Sequence, residues 1–226
     1  MWIFDPNLPG WPIASPRLKL PSGVEVRLRD LRRADGPDWC TMRIADESYL
    51  RPVEPTLSSD WRDGHTAAMW RHNYKQLSDA ARTGQLFPAA IEADGQFVGQ
   101  LTLGNIQHGA VSSCWIGYWV YSGFSGHGIA TAATALGVDH AMRRLSLHRV
   151  EATVMEDNVA SQQVLKNTGF RTEGFLKRNL HINGRWQDHL LVAQTIEDVN
   201  LHMPEPGGAV GVTGRLAREG RFKIIG

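Results

Sequence analysis

The sequence predicts an α/β (α+β) domain built on a central mixed, mostly antiparallel sheet with helices on both faces. Three observations carry this prediction. Two apolar runs are broken by Asp94-Gly95 and two more by Asn183-Gly184, the dipeptides that favour tight hairpins. A strand-like aromatic run over residues 115–121 passes through the glycine-rich stretch 123–132 into a helix-like run over 129–145. A further strand-like run over 149–155 follows that helix, and a right-handed crossover makes it parallel to the strand before the glycines.

The elements follow in order. Residues 1–22 carry prolines at 6, 9, 12, 16 and 21, so they are expected as an extended arm, with Trp2, Phe4 and Trp11 packing over the domain. Residues 24–29 alternate apolar with charged, the period of a half-exposed strand. Residues 35–47 read as a short helix with Asp35 as its cap and Pro37 in its first turn. The prolines of Leu50-Arg51-Pro52-Val53-Glu54-Pro55 fix a rigid loop. Ser58 or Ser59 then caps a helix to about Arg82, whose Trp61, Thr66, Met69, Trp70, Tyr74 and Leu77 fall mainly on one core-facing side.

Residues 86–93 and 96–103 form the first hairpin, and 114–121 is the fourth strand. In it Cys114, Ile116, Tyr118 and Val120 alternate with Trp115, Gly117 and Trp119. The helix beyond the glycines sets Ile129, Ala132, Ala133, Leu136 and His140 on one stripe toward the sheet. Residues 149–155 are the fifth strand. Asn158 caps a helix that Gly169 and Phe170 close. Residues 170–182 and 185–195 form the last hairpin, and the Gly-, Pro- and Arg-rich remainder from about Asn200 is expected as a solvated tail. The division is therefore an arm at 1–22, one domain at 23–198 and a tail at 199–226.

With 226 residues the chain is long enough for one well-buried domain. A net charge of +1 gives no global field toward nucleic acid or an anionic membrane, so an acidic ligand is held locally, and no sequence-specific nucleic-acid binding is expected. Cys40 and Cys114 are too few for a disulfide framework or a metal cluster, and read as small core residues. The start lacks a basic region followed by an apolar one, and no apolar run reaches the length of a membrane span. The expectation is a cytoplasmic protein without metal, acting as a monomer or homodimer.

The stretch Ser125, Gly126, His127, Gly128, Ile129, Ala130 and Thr131 reads as a phosphate cradle. Its glycines let the backbone turn tightly toward a ligand. The leading N–H groups of the new helix, helped by its dipole, make an anion site. A dinucleotide fingerprint is excluded: Gly126-His127-Gly128 is followed by Thr131 where Gly or Ala is needed, and the first acid near the end of a following strand is Glu156.

Ser-Gly-His-Gly-Ile-Ala at 125–130 resembles the later half of motif A of the GCN5-related N-acetyltransferases (GNAT), R/Q-x-x-G-x-G/A, with Gly123 or Phe124 where Arg or Gln is usual. The strand 148–152, the N-x-x-S of Asn158 and Ser161, and Thr168-Gly169-Phe170 follow in the order of the RimJ/RimL-type protein acetyltransferases of that superfamily. The loop 50–55 and the hairpin 183–189 resemble the ribosomal-protein alanine N-acetyltransferase pattern. The resemblance covers about residues 20–198.

It implies a GNAT fold whose fourth and fifth strands splay apart around the pantetheine arm of acetyl-CoA, which bonds to the backbone of Trp119 and Val120. It implies a protein N-terminus, ribosomal in this subgroup, as the acceptor. Asn158 and Ser161 then lie near the thioester, where Ser161 is a candidate proton donor to the leaving thiolate beside its plain role in the first turn of the helix. The tyrosine other acetyltransferases use is matched by Leu165, and the carboxylate some relatives carry after G-F is absent from 177–181. Glu54 and His181 remain as candidates for the general base and for the acceptor side, beside a water relay. Two further readings stay open: an acetyltransferase for a small amine such as an antibiotic or polyamine, and a CoA-binding module without catalysis.

Overall fold

A computed structural model of the chain describes residues 13–200 and 211–225. Strands β1 (Arg17–Lys19) and β2 (Glu25–Asp30) lead into helices α1 (Gly36–Ala45), α2 (Glu47–Leu50), α3 (Trp61–Gly64) and α4 (Ala67–Arg82). A meander of β3 (Leu86–Ala93), β4 (Gln96–Gln107) and β5 (Ser113–Val120) follows, then α5 (Ile129–Arg143), β6 (Arg149–Val154) and α6 (Val159–Thr168). The hairpin β7 (Arg171–Ile182) and β8 (Arg185–Thr195) precedes α7 (Ile196–Asn200), α8 (Gly211–Arg218) and β9 (Lys223–Ile225). The strands form one sheet in the order β7-β8-β6-β5-β4-β3-β2-β1-β9. Among these neighbours β5 and β6 run parallel and the other pairs antiparallel. The expected mixed sheet, both hairpins and the crossover are therefore present; the fourth and fifth strands of the sequence reading are β5 and β6.

Alternation within β5 divides the core between the two faces. Cys114 and Ile116 pack with Leu101, Leu103, Ala132, Ala133 and Leu136 under α5. The alanines of α5 let this helix approach the sheet closely, and each fully buried Leu or Ile on that face contributes about 1.5–3 kcal/mol. On the opposite face Leu31, Trp39, Trp70, Tyr74, Ala90 and Phe97 form a second, aromatic cluster beneath α1 and α4, with Trp119 and Leu77 at its edge.

Several expectations need correction. The helix to Arg82 is not continuous from Ser58 or Ser59: α3 stops at Gly64, and Thr66 caps α4 by accepting from Met69 N at 3.3 Å. Met69 consequently lies on the exposed side, whereas Trp70 and Tyr74 are buried. Asp35 precedes α1 but does not cap it with its side chain. Its carboxylate accepts both terminal nitrogens of Arg29, at 2.8 and 2.9 Å, in a buried network where Arg29 Nε also reaches Glu92 at 2.6 Å.

The two ends of the chain also depart from their readings. Arg17–Lys19, inside the expected arm, pairs with β2, while Trp2, Phe4 and Trp11, expected to pack over the domain, lie outside the described residues. The C-terminal stretch is not a solvated tail over 211–225: α8 buries Val212 and Leu216, and β9 adds to the sheet beside β1. Asp139 of α5 anchors it by accepting from Val212 N at 2.7 Å and Thr213 N at 3.1 Å. Composition marked this segment as polar; its three apolar anchors, Val212, Leu216 and Phe222, were enough to bury one side of it.

Candidate active site

The glycine stretch forms an open turn at the head of α5. Gly126 and Gly128 both take φ +81°, a left-handed conformation that side chains with a Cβ rarely adopt, and a Cβ built on either meets no atom within 4 Å. Gly128 is the N-cap of α5 and offers no side-chain cap, so the first N–H groups of the helix point into that open space. Ser125 ends the preceding 3-10 turn, whose Ser122 is held by Asp46: Ser122 N donates to one carboxylate oxygen at 2.7 Å and Ser122 Oγ to the other at 2.5 Å. The residues therefore fit the expected phosphate cradle in conformation and in clearance. His127, Ile129, Ala130 and Thr131 sit in it in sequence order, with Ile129 turned into the core.

Beside this turn the sheet opens. Strands β5 and β6 pair over Ser113, Cys114 and Trp115, the last opposite Glu151, and the register ends there although both strands continue. Strand β5 stays paired to β4 as far as Val120. Tyr121 N donates to Val98 O at 2.8 Å, which fixes the phase of that antiparallel ladder: Trp119 spends its backbone groups on Gln100, while those of Tyr118 and Val120 turn toward the split. The pairing thus assigns Val120 to the gap and corrects the expectation for Trp119, whose backbone is occupied. Trp119 contributes its indole, on the α1–α4 face.

On the other face of the split the Asn158 side chain caps α6, its Oδ1 accepting from Ser161 N at 3.1 Å. The cap fixes the first turn and places Ser161 Oγ 3.1 Å from the Tyr118 hydroxyl. That hydroxyl also donates to Ser161 O at 3.4 Å. Burial pushes the Tyr118 phenol up to about 12, so it stays protonated through the neutral range. Tyr118 was not singled out from sequence. The signal existed: it is the one hydroxyl-bearing residue among Cys114, Ile116, Tyr118 and Val120, the face that alternation turns toward the helix after the glycine loop. Leu165, which the resemblance matched to a tyrosine, is buried in the core.

The acceptor-side candidates are differently placed. Glu54 is clasped by Arg43, whose two terminal nitrogens both reach its carboxylate. The Arg43 guanidinium lies 5.4, 5.3 and 5.2 Å from the ring centroids of Trp39, Trp61 and Trp119, so it is caged by three indoles and neutralised by one carboxylate. The negative charge of Glu54 is therefore already matched by Arg43. His181 Nδ1 lies 2.9 Å from Thr56 Oγ1, and the ring meets Trp186 edge-on.

The loop 50–55 and the residue after it are stitched to the hairpin turn. Thr56 N donates to His181 O at 2.9 Å, Gly184 N to Thr56 Oγ1 at 2.8 Å, and Arg51 Nε to Asn183 Oδ1 at 3.2 Å. A cavity of about 150 Å³ remains there. Loop backbone groups leaving water need partners, and the hairpin end supplies them. A larger cleft of about 490 Å³ opens on the α1–α4 face, along Trp119 and Gln100.

A mixed sheet split beside a glycine turn that opens a helix defines the class, an acetyltransferase. The family model described as Acetyltransferase (GNAT) domain matches residues 25–171, and the chain belongs to that family. It is similar to Mycobacterium smegmatis RimJ, solved in complex with CoA-disulfide: 44% identity, 96% of this chain and 99% of that one covered, TM-score 0.88. That coverage passes well beyond residues 20–198, the span that motif resemblance reached. The probable N-acetyltransferase YjcK of Bacillus subtilis is 42% identical over 173 residues, 76% of this chain and 94% of the relative. The ribosomal protein uS5-alanine N-acetyltransferase of Escherichia coli is 26% identical over 164 residues, 69% and 82% of the two chains. Among the described residues no group of three or more His, Cys, Asp or Glu could hold a metal ion, and no helix is long and apolar enough to cross a membrane.

Proposed function

We propose that the chain transfers the acetyl group of acetyl-CoA to the N-terminal α-amine of a protein, with a ribosomal protein as the acceptor. The observation that carries this reading is the near full-length similarity to Mycobacterium smegmatis RimJ in complex with CoA-disulfide. The similarity to a uS5-alanine N-acetyltransferase points to the same acceptor class.

Acetyl-CoA supplies an activated acyl group; this chain supplies placement and proton transfer. The N–H groups at the start of α5, with the turn at Gly126 and Gly128, take the pyrophosphate. The backbone of Val120, with that of Tyr118, extends the sheet to the pantetheine arm and polarises the carbonyl under attack. Ser161 donates its proton to the departing thiolate, the Tyr118 hydroxyl behind it donates to the serine oxygen, and the pair regains through water the proton that the attacking amine releases. An α-amine has a pKa near 8, so a large fraction is charged at neutral pH and must lose a proton before attack. With Glu54 bound to Arg43, that proton leaves through water, and Glu54 acts by positioning the acceptor side.

The test is incubation with acetyl-CoA and a panel of peptides beginning with Ala or Ser, alongside spermidine, read by mass spectrometry. Acetylation at the peptide α-amine is the expected result. Acetylation of spermidine with no peptide modified would overturn the reading in favour of a small amine.

A further inference from the structure

The aromatic cluster on the α1–α4 face is not closed. Trp39 and Trp70 are buried, yet Leu77, Leu86 and Trp119 each keep part of their surface uncovered, and together they wall the cleft of about 490 Å³. Uncovered apolar surface in a concave site is a usual mark of ligand binding. The floor of the cleft contains Trp119, the residue between Tyr118 and Val120, whose backbone groups face the split between β5 and β6.

The electrostatics select among occupants. Among the described residues lining the cleft none is a carboxylate and the one charge is Arg43, which already rests against Trp39 and Trp119 and is paired with Glu54. A second cation would meet indole faces that already hold one and would find no counter-ion. The polar lining consists of amides, with Asn73, Gln76 and Gln100 able both to donate to and accept from a peptide backbone.

We infer that this cleft receives an apolar side chain from the first three residues of the acceptor, and so selects neutral, apolar N-terminal segments over polyamines and charged peptides. The inference rests on the proposed acetylation of protein N-termini. The amide side chains bond the acceptor backbone as it leaves the gap, and Leu77, Leu86 and Trp119 cover the side chain.

The experiment compares peptides beginning with Ala and carrying Leu, Phe, Glu or Lys at positions two and three. The Leu and Phe peptides should exceed the Glu and Lys peptides by about tenfold in kcat/KM, mostly through KM. Leu77→Glu should reverse the order in favour of Lys. As a readout independent of that variant's folding, the intrinsic tryptophan emission of the wild-type protein should shift on adding the Leu peptide and not the Glu peptide. Rates independent of the side chain, with no emission shift, would overturn this inference and leave N-terminal acetylation standing. Acetylation of no peptide would overturn both.

Discussion

The phenolic oxygen of Tyr118 lies 3.1 Å from Ser161 Oγ, so two hydroxyls 43 residues apart in sequence meet beside the split in the sheet. With its phenol pushed up to about 12 by burial, Tyr118 stays protonated through the neutral range. Ser161→Ala is expected to lower kcat by roughly 10²-fold or less with little change in the KM for acetyl-CoA. Tyr118→Phe should lower kcat by about tenfold, and adding it to Ser161→Ala should cost little more, because the pair acts as one path. A fall in acetyl-CoA affinity with unchanged kcat would make Ser161 a binding or helix-turn residue.

The cradle is tested by a matched pair at Gly128. Asn and Asp both tolerate the left-handed conformation at a cost of about 1 kcal/mol relative to glycine, so the two variants carry similar backbone strain. Gly128→Asp adds a negative charge where the pyrophosphate should lie. It should lose CoA binding by at least tenfold relative to Gly128→Asn, as measured by calorimetry. Equal affinities in the two folded variants would remove the phosphate from this helix end.

Arg43 and Glu54 should behave as a unit. Lysine cannot chelate the carboxylate with two nitrogens or spread over three indoles. Arg43→Lys and Glu54→Gln are therefore each expected to raise the KM for an Ala-initiated peptide several-fold while leaving the KM for acetyl-CoA alone, with the double variant no worse than either single one. A wild-type KM in Glu54→Gln would place this pair outside the acceptor site.

Glu92 sets an acid limb of stability. Burial alone would raise its pKa, but hydrogen bonds from Arg27 and Arg29 outweigh that and hold it below its ordinary value of 4.5. A carboxylate lowered by folding adds stability above its unfolded pKa and loses it as the pH falls through the folded value. Glu92→Gln should cost about 3 kcal/mol at pH 7 and give a shallower decline below about pH 5 in denaturant titrations. Parallel acid limbs for the two proteins would count against the network.

What the sequence determined by itself is what short-range pattern controls. Asp94-Gly95 and Asn183-Gly184 set the hairpins, the alternation through 114–121 set β5, and the glycines at 126 and 128 set the turn into α5. Each of these depends on backbone conformations and periodicities within a dozen residues, and each lies close to where it was read. The long helix failed at α3 and α4 because Ser58, Ser59 and Thr66 are all competent caps, and only packing chose Thr66. Tertiary structure alone decided the partners: Arg43 with Glu54 among three indoles, Asp139 with the start of α8, and Tyr118 with Ser161. It also decided that the loop 50–55 is sewn to the hairpin while the cleft beside Trp119 stays open. The reason is that a side chain's residue type fixes what it can bond, whereas the crossing of distant elements fixes what comes within 3 Å of it.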